Sequence, residues 1–147
     1  MVFVFISTVV DPPVMIFMGQ HQEENEELIK GGYPDDVWFH VDKLSSAHVY
    51  LRMPRGMSID AIPETLLEDC CQLVKRNSIQ GWKLQSVSVV FTTRDNLKKT
   101  AKMAVGEVGF HKINQVKRRI VEKKLTNGIV NRLEKTKWKE TTDSRGT

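Results

Sequence analysis

Two short segments concentrate the side chains that could do chemistry: Asp36-Val37-Trp38-Phe39-His40 and, after a polar gap, Ala47-His48-Val49-Tyr50-Leu51. If both are β-strands, alternate side chains point to opposite sides, so Trp38 joins His40 on one face of the first and His48 joins Tyr50 on one face of the second. A hairpin between them lets the two faces coincide. Four rings on one face would form a platform for unpaired bases, with stacking worth about 1–3 kcal/mol per base. The same rings suit equally well a core covered by the helix that starts near Pro63, because large aromatics commonly enter cores.

Other chemistry finds less support. Two imidazoles leave a metal site one or two ligands short, and no His or Cys motif nearby completes it, so neither metal nor cofactor is expected. Acid–base catalysis would need Asp36 or Asp42 to orient a histidine, together with a nucleophile or a substrate pocket. No glycine-rich phosphate loop, Walker motif or GxSxG elbow is present. A binding module is expected rather than an enzyme.

Charge points to the kind of ligand. Residues 1–92 hold 7 basic and 12 acidic residues, net −5, whereas residues 93–147 hold 15 and 6, net +9. Such asymmetry favours a polyanionic partner for the second part. Lys98, Lys99, Lys117, Arg118 and Arg119 are the candidate phosphate contacts, which give affinity without sequence choice.

These residues must be held by a fold. Hydrophobic residues make up 40% and charged residues 27%, a globular composition at single-domain length. Val2–Val10 and Val14–Met18 read as a strand pair broken at Asp11-Pro12-Pro13, and residues 23–30 as a short acidic helix whose Leu28 and Ile29 can dock on the sheet. Strands follow at Val37–Val41, Ala47–Leu51, Val87–Thr92 and Val116–Val121. A central helix runs from Pro63 to about Ser78, with Leu66, Leu67, Cys70, Leu73 and Val74 at helical spacing. Arg94–Met103 reads as a loop, and Gly106 and Gly109 as marking a tight turn. From Glu122, the steps Leu125, Ile129, Leu133 predict a terminal helix that frays after Leu133 and begins a longer coiled coil.

The fold class is α+β: a mixed, mostly antiparallel sheet packed by a central helix, with a C-terminal helix. A nucleic-acid-binding domain is expected over residues 1–125 and a helix with a tail over 126–147. The apolar run Val2–Val10 is too short to span a bilayer and lacks a basic flank. The adjacent Cys70 and Cys71 cannot staple distant segments, which fits a reducing compartment. A cytoplasmic or nuclear location is expected, with membrane association through a partner as the alternative.

Several stretches carry a family resemblance: Asp-x-Trp-Phe-His at 36–40, the second histidine eight positions later, the helix after it, and Leu97-Lys98-Lys99 through Gly106-Glu107-Val108. Together they resemble the NFACT-R domain, an RNA-binding module of ribosome quality-control proteins, over nearly the whole chain. The ribosome-associated members have Pro-Gly-Ser where this chain has Ser45-Ser46-Ala47. The resemblance implies nucleic-acid binding, RNA before DNA, and no enzymatic activity. The alternative expectation is a protein-interaction adaptor acting through the C-terminal helix.

Overall fold

The computed structural model describes residues 2–19, 25, 28, 31–54, 56–103 and 108–140. Its elements run β1 (Val2–Ser7), β2 (Val14–Gly19), β3 (Val37–Val41), β4 (His48–Arg52), helix α1 (Glu64–Arg76) and β5 (Ser86–Thr93). They continue with the two-residue strands β6 (Leu97–Lys98) and β7 (Gly109–Phe110), then β8 (Lys117–Glu122), helix α2 (Thr126–Glu134) and β9 (Trp138–Glu140). The expected helix over 23–30 lies, apart from residues 25 and 28, outside the described residues, as does Gly106.

Seven strands form one sheet in the order β8-β5-β3-β4-β2-β1-β9, and β6 pairs with β7 in a separate ribbon. Among the described residues every pairing is antiparallel. The mostly antiparallel sheet expected is there wholly antiparallel, because β3 lies between β4 and β5. The crossover through α1 therefore joins two strands that run the same way without touching.

Helix α1 forms where the apolar spacing predicted it. Pro63 stands at its N-cap with φ −59°, while Lys75 and Arg76 occupy the last turn, where cations complement the helix dipole. Its Leu66, Cys70, Leu73 and Val74 meet Phe5, Ile16, Phe39, Val49, Leu51 and Val89 from one face of the sheet, all essentially inaccessible. Burial of each large aliphatic chain contributes about 1.5–3 kcal/mol. Cys70 and Cys71 are buried in this core, where desolvation pushes both thiols up and leaves them unreactive.

The C-terminal part departs from the expected fraying helix. Helix α2 ends at Glu134, and the chain turns back to add β9 beside β1 at the sheet edge. Thr136 Oγ1 donates to Leu133 O at 2.7 Å and accepts the Ile6 amide at 2.9 Å, which fixes the reversal. Lys137 lies 4.1 Å over the Phe3 ring. Buried Asp69 binds α2 to α1: it takes two hydrogen bonds from Arg132 (2.6 and 3.0 Å) and one from Ser7 Oγ (2.7 Å). Thr126 also donates to Gln72 at 2.6 Å. The apolar residues Val130 and Leu133 are thus consumed inside the domain.

Candidate nucleic-acid interface

The strand alternation read from the sequence holds. Trp38 lies opposite Tyr50 on β4 and Thr92 on β5, and His40 lies opposite Val90, so these side chains share the sheet face turned away from α1. The ring pairs Trp38–His40, Trp38–His48 and His40–His48 have centroids 5.6, 5.7 and 5.0 Å apart.

The expected cover is wrong, however, since α1 packs on the opposite face. The segment expected to be a loop after Arg94 instead forms the β6–β7 ribbon, which closes over the rings. Leu97 joins a second cluster with Trp38, Tyr50 and Val90, against which Leu28, Val108, Phe110 and Val116 pack. Phe110 meets the Trp38 ring edge to face at 5.6 Å. Asn96 sets the ribbon: its side chain donates to Thr92 Oγ1 and Lys112 O and accepts from the Lys112 amide. Trp38 is left 3% exposed and Tyr50 1%. Neither offers an open ring face.

The two histidines keep a different possibility. The Trp38 indole N–H donates to His48 Nδ1 at 3.0 Å, so the neutral His48 ring carries its proton on Nε2. Burial, with help from His40 and Lys99, lowers its pKa to about 3. His40 places Nδ1 2.6 Å from Val41 O, which makes Nδ1 the donor and leaves Nε2 as an acceptor. Its pKa is also lowered, by desolvation, against the opposing pull of that hydrogen bond and of Asp42. Both rings are thus uncharged at neutral pH; His48 is 4% exposed, and His40, part-exposed, offers the lone pair of Nε2.

Chemical consequences follow. With its proton on Nε2 and Nδ1 held by Trp38, neutral His48 has no lone pair left for a metal. Hydrogen bonding to a ligand's polar edge is what His40 offers.

The five candidate cations divide. Lys98 is exposed on the ribbon, and Lys99 lies within electrostatic reach of His48. Arg118, opposite Val90, faces the same side as His40 and pairs with Asp42. Lys117 and Arg119 project to the other face, where Lys117 meets Asp60 at 2.6 Å and Arg119 meets Glu64 and Glu68 at 2.6 and 3.0 Å. Much of the basic excess on β8 is thereby matched by acids from the first part of the chain.

The pairing of Asp36 with Arg52 and the exposure of Trp82 were not read from the sequence. Asp36, 2% exposed, grips Arg52 through two hydrogen bonds of 3.0 and 2.8 Å, and the guanidinium lies between the Phe17 and Tyr33 rings. The motif aspartate is therefore a clamp; only its contact with a residue sixteen positions later reveals this. Trp82 is 41% exposed, stands in a polar stretch, and carries no periodic signal.

Comparison with known proteins places this geometry. The family model described as "NFACT protein RNA binding domain" matches residues 1–112. Coiled-coil domain-containing protein 25 of Danio rerio is 62% identical over 137 residues, covering 93% of this chain and 66% of that protein. Its Mus musculus counterpart is 56% identical over 144 residues, covering 97% and 69%. The chain thus spans about two thirds of the length of these relatives. The fold is shared with the C-terminal part of the fibronectin/fibrinogen-binding protein from Streptococcus suis, at a TM-score of 0.72 and 18% identity, over 88% of this chain and 47% of that one.

Proposed function

This chain belongs to the NFACT-R family of RNA-binding domains, and from that premise we propose that it binds single-stranded RNA without catalysis, at the ribbon edge of the ring-bearing face. The observation that carries this reading is a pair of uncharged imidazoles of fixed tautomer, edge to face on the ring-bearing face, with Lys99 within electrostatic reach of His48. Lys98 and Lys99, with Arg118 beside its partner Asp42, supply attraction for phosphates, while Nε2 of the part-exposed His40 supplies an acceptor for a base edge or a 2′-hydroxyl. Trp38 acts from beneath, by orienting the imidazoles. Unpaired RNA is favoured over duplex because its bases and hydroxyls are open to such contacts.

A titration of labelled single-stranded RNA, tRNA and duplex DNA at several salt concentrations tests the proposal. Affinity should fall as salt rises, since each neutralised phosphate releases counterions. Changing Lys98 and Lys99 together to Glu should weaken binding roughly tenfold or more and flatten the salt slope by about 0.7 per lost contact. Double-variant affinity within about twofold of the parent at physiological salt would remove these lysines from the interface.

A further inference from the structure

A second binding feature lies at the loop end of β3 and β4, where Ser45, Ser46 and Ala47 meet the turn that follows α1. A cavity of about 490 Å³ opens between them, lined also by Arg76, Asn77, Ile79 and Trp82. Ile79 is 83% exposed and Trp82 41%, an unusual concentration of apolar surface on a single turn.

This turn is held rigidly. Ser78 Oγ donates to Ser45 O at 2.6 Å and accepts the Gly81 amide at 3.0 Å, while the Ala47 amide donates to Asn77 O at 3.0 Å. Buried Lys75 sends its ammonium to Gly81 O and Trp82 O at 3.1 and 3.0 Å. A Cβ at Gly81 would come within 2.8 Å of Ser78 Oγ, the atom that bonds Ser45 O, so the turn needs glycine there. A large apolar ring is thus exposed on a scaffold that gives it little freedom to fold away, a preorganised contact rather than a loose side chain.

The character of the cavity favours one occupant. Cations lie over the indole, Arg76 from the last turn of α1 at 5.5 Å and Lys83 from the Trp82 turn at 5.6 Å from the ring centroid. None of the described lining residues is acidic, and Ser45, Ser46 and Asn77 add hydroxyl and amide groups. An aromatic face beside cations and small polar groups is what a nucleotide requires: ring for base, cation for phosphate, hydroxyl or amide for the base edge. A purely apolar protein segment would leave these polar groups facing it.

We propose that the Trp82 turn is a nucleobase-stacking site, which takes one unstacked base of a single strand between Trp82 and Ile79, with the adjoining phosphate on Arg76 or Lys83. The inference rests on the RNA-binding reading and deepens it. The loop that lines this cavity leaves β3 after Val41 and enters β4 at His48, so both sites border one hairpin. Trp82, not the tryptophan of the family motif, is then the stacking residue.

The test uses the full chain with a labelled single-stranded oligoribonucleotide. Trp82→Ala should lower affinity roughly fivefold to a hundredfold, the range expected when one base loses its aromatic platform, and Trp82→Phe should restore most of it. Ultraviolet crosslinks should map to residues 76–83, and an oligonucleotide with abasic positions should bind the parent about as weakly as it binds Trp82→Ala. A Trp82→Ala affinity within twofold of the parent, while Lys98→Glu with Lys99→Glu still weakens binding, overturns the inference and leaves this face to a protein partner. Failure of the parent itself to bind RNA overturns the wider reading instead.

Discussion

Trp38 and Trp82 present the same indole to two environments, and the contrast separates aromatic residues that build a site from those that meet a ligand. Trp38 is 3% exposed, covered by Phe110 and Leu97, with its N–H spent on His48. Trp82 is 41% exposed with two cations over its ring, on a turn anchored by a buried lysine. An aromatic on a strand face with aromatic neighbours attracts a cover, since burying its area stabilises the fold. One on a turn, anchored through its backbone, has no layer above it.

The largest effect that would break this comparison is on stability. Trp38→Ala should destabilise the domain by about 3–5 kcal/mol, as for a large buried aromatic, whereas Trp82→Ala should cost less than about 1 kcal/mol. Denaturant unfolding of the two variants decides. Equal losses would mean that Trp82 is structural after all.

A smaller effect sharpens the role of the ring beneath. In the unfolded chain His48 takes a proton near its ordinary pKa of 6.5, but in the fold it refuses one until about pH 3. Between those values unfolding takes up a proton, so stability declines as pH falls, by about 1.4 kcal/mol per unit for one fully linked group. The lowered pKa of His40 contributes with the same sign. His48→Asn keeps an acceptor for the Trp38 N–H without a titrating group, so it should be measurably flatter than the parent from pH 6 to 4 in chemical denaturation. Parallel pH profiles would mean that His48 is charged in the fold.

Smallest in energy, and most direct, is the tautomer pattern. Long-range proton–nitrogen spectra at neutral pH should show His48 protonated on Nε2 and His40 on Nδ1. Trp38→Phe removes the indole donor, and His48 should then populate both tautomers while His40 keeps its own. An unaltered His48 in that variant would detach the imidazole from Trp38.

Much of this was legible from periodicity. The strand alternation that joins Trp38, His40, His48 and Tyr50, the helix of Leu66 to Val74, and the α+β class all follow from where apolar residues recur, a local property of the chain. The turn of the chain after Glu134 was not legible. Trp138 stands among charged residues, and only the edge of β1 supplies the partners that make a strand of it. The ribbon was hidden for the same reason, because two-residue strands leave no period and Asn96 acts through contacts with residues sixteen positions away.

By itself, then, the sequence determined the faces: which side chains share a side of each strand and helix, and that charge is split along the chain. Tertiary structure alone decided which face is open. The ribbon covers the rings that the motif advertises, carboxylates from α1 and the loops before it engage Lys117 and Arg119, and the packing of the Ser45–Ala47 loop against the turn leaves Trp82 uncovered. Exposure depends on what lies across space, and residues distant in sequence carry no local signal of one another.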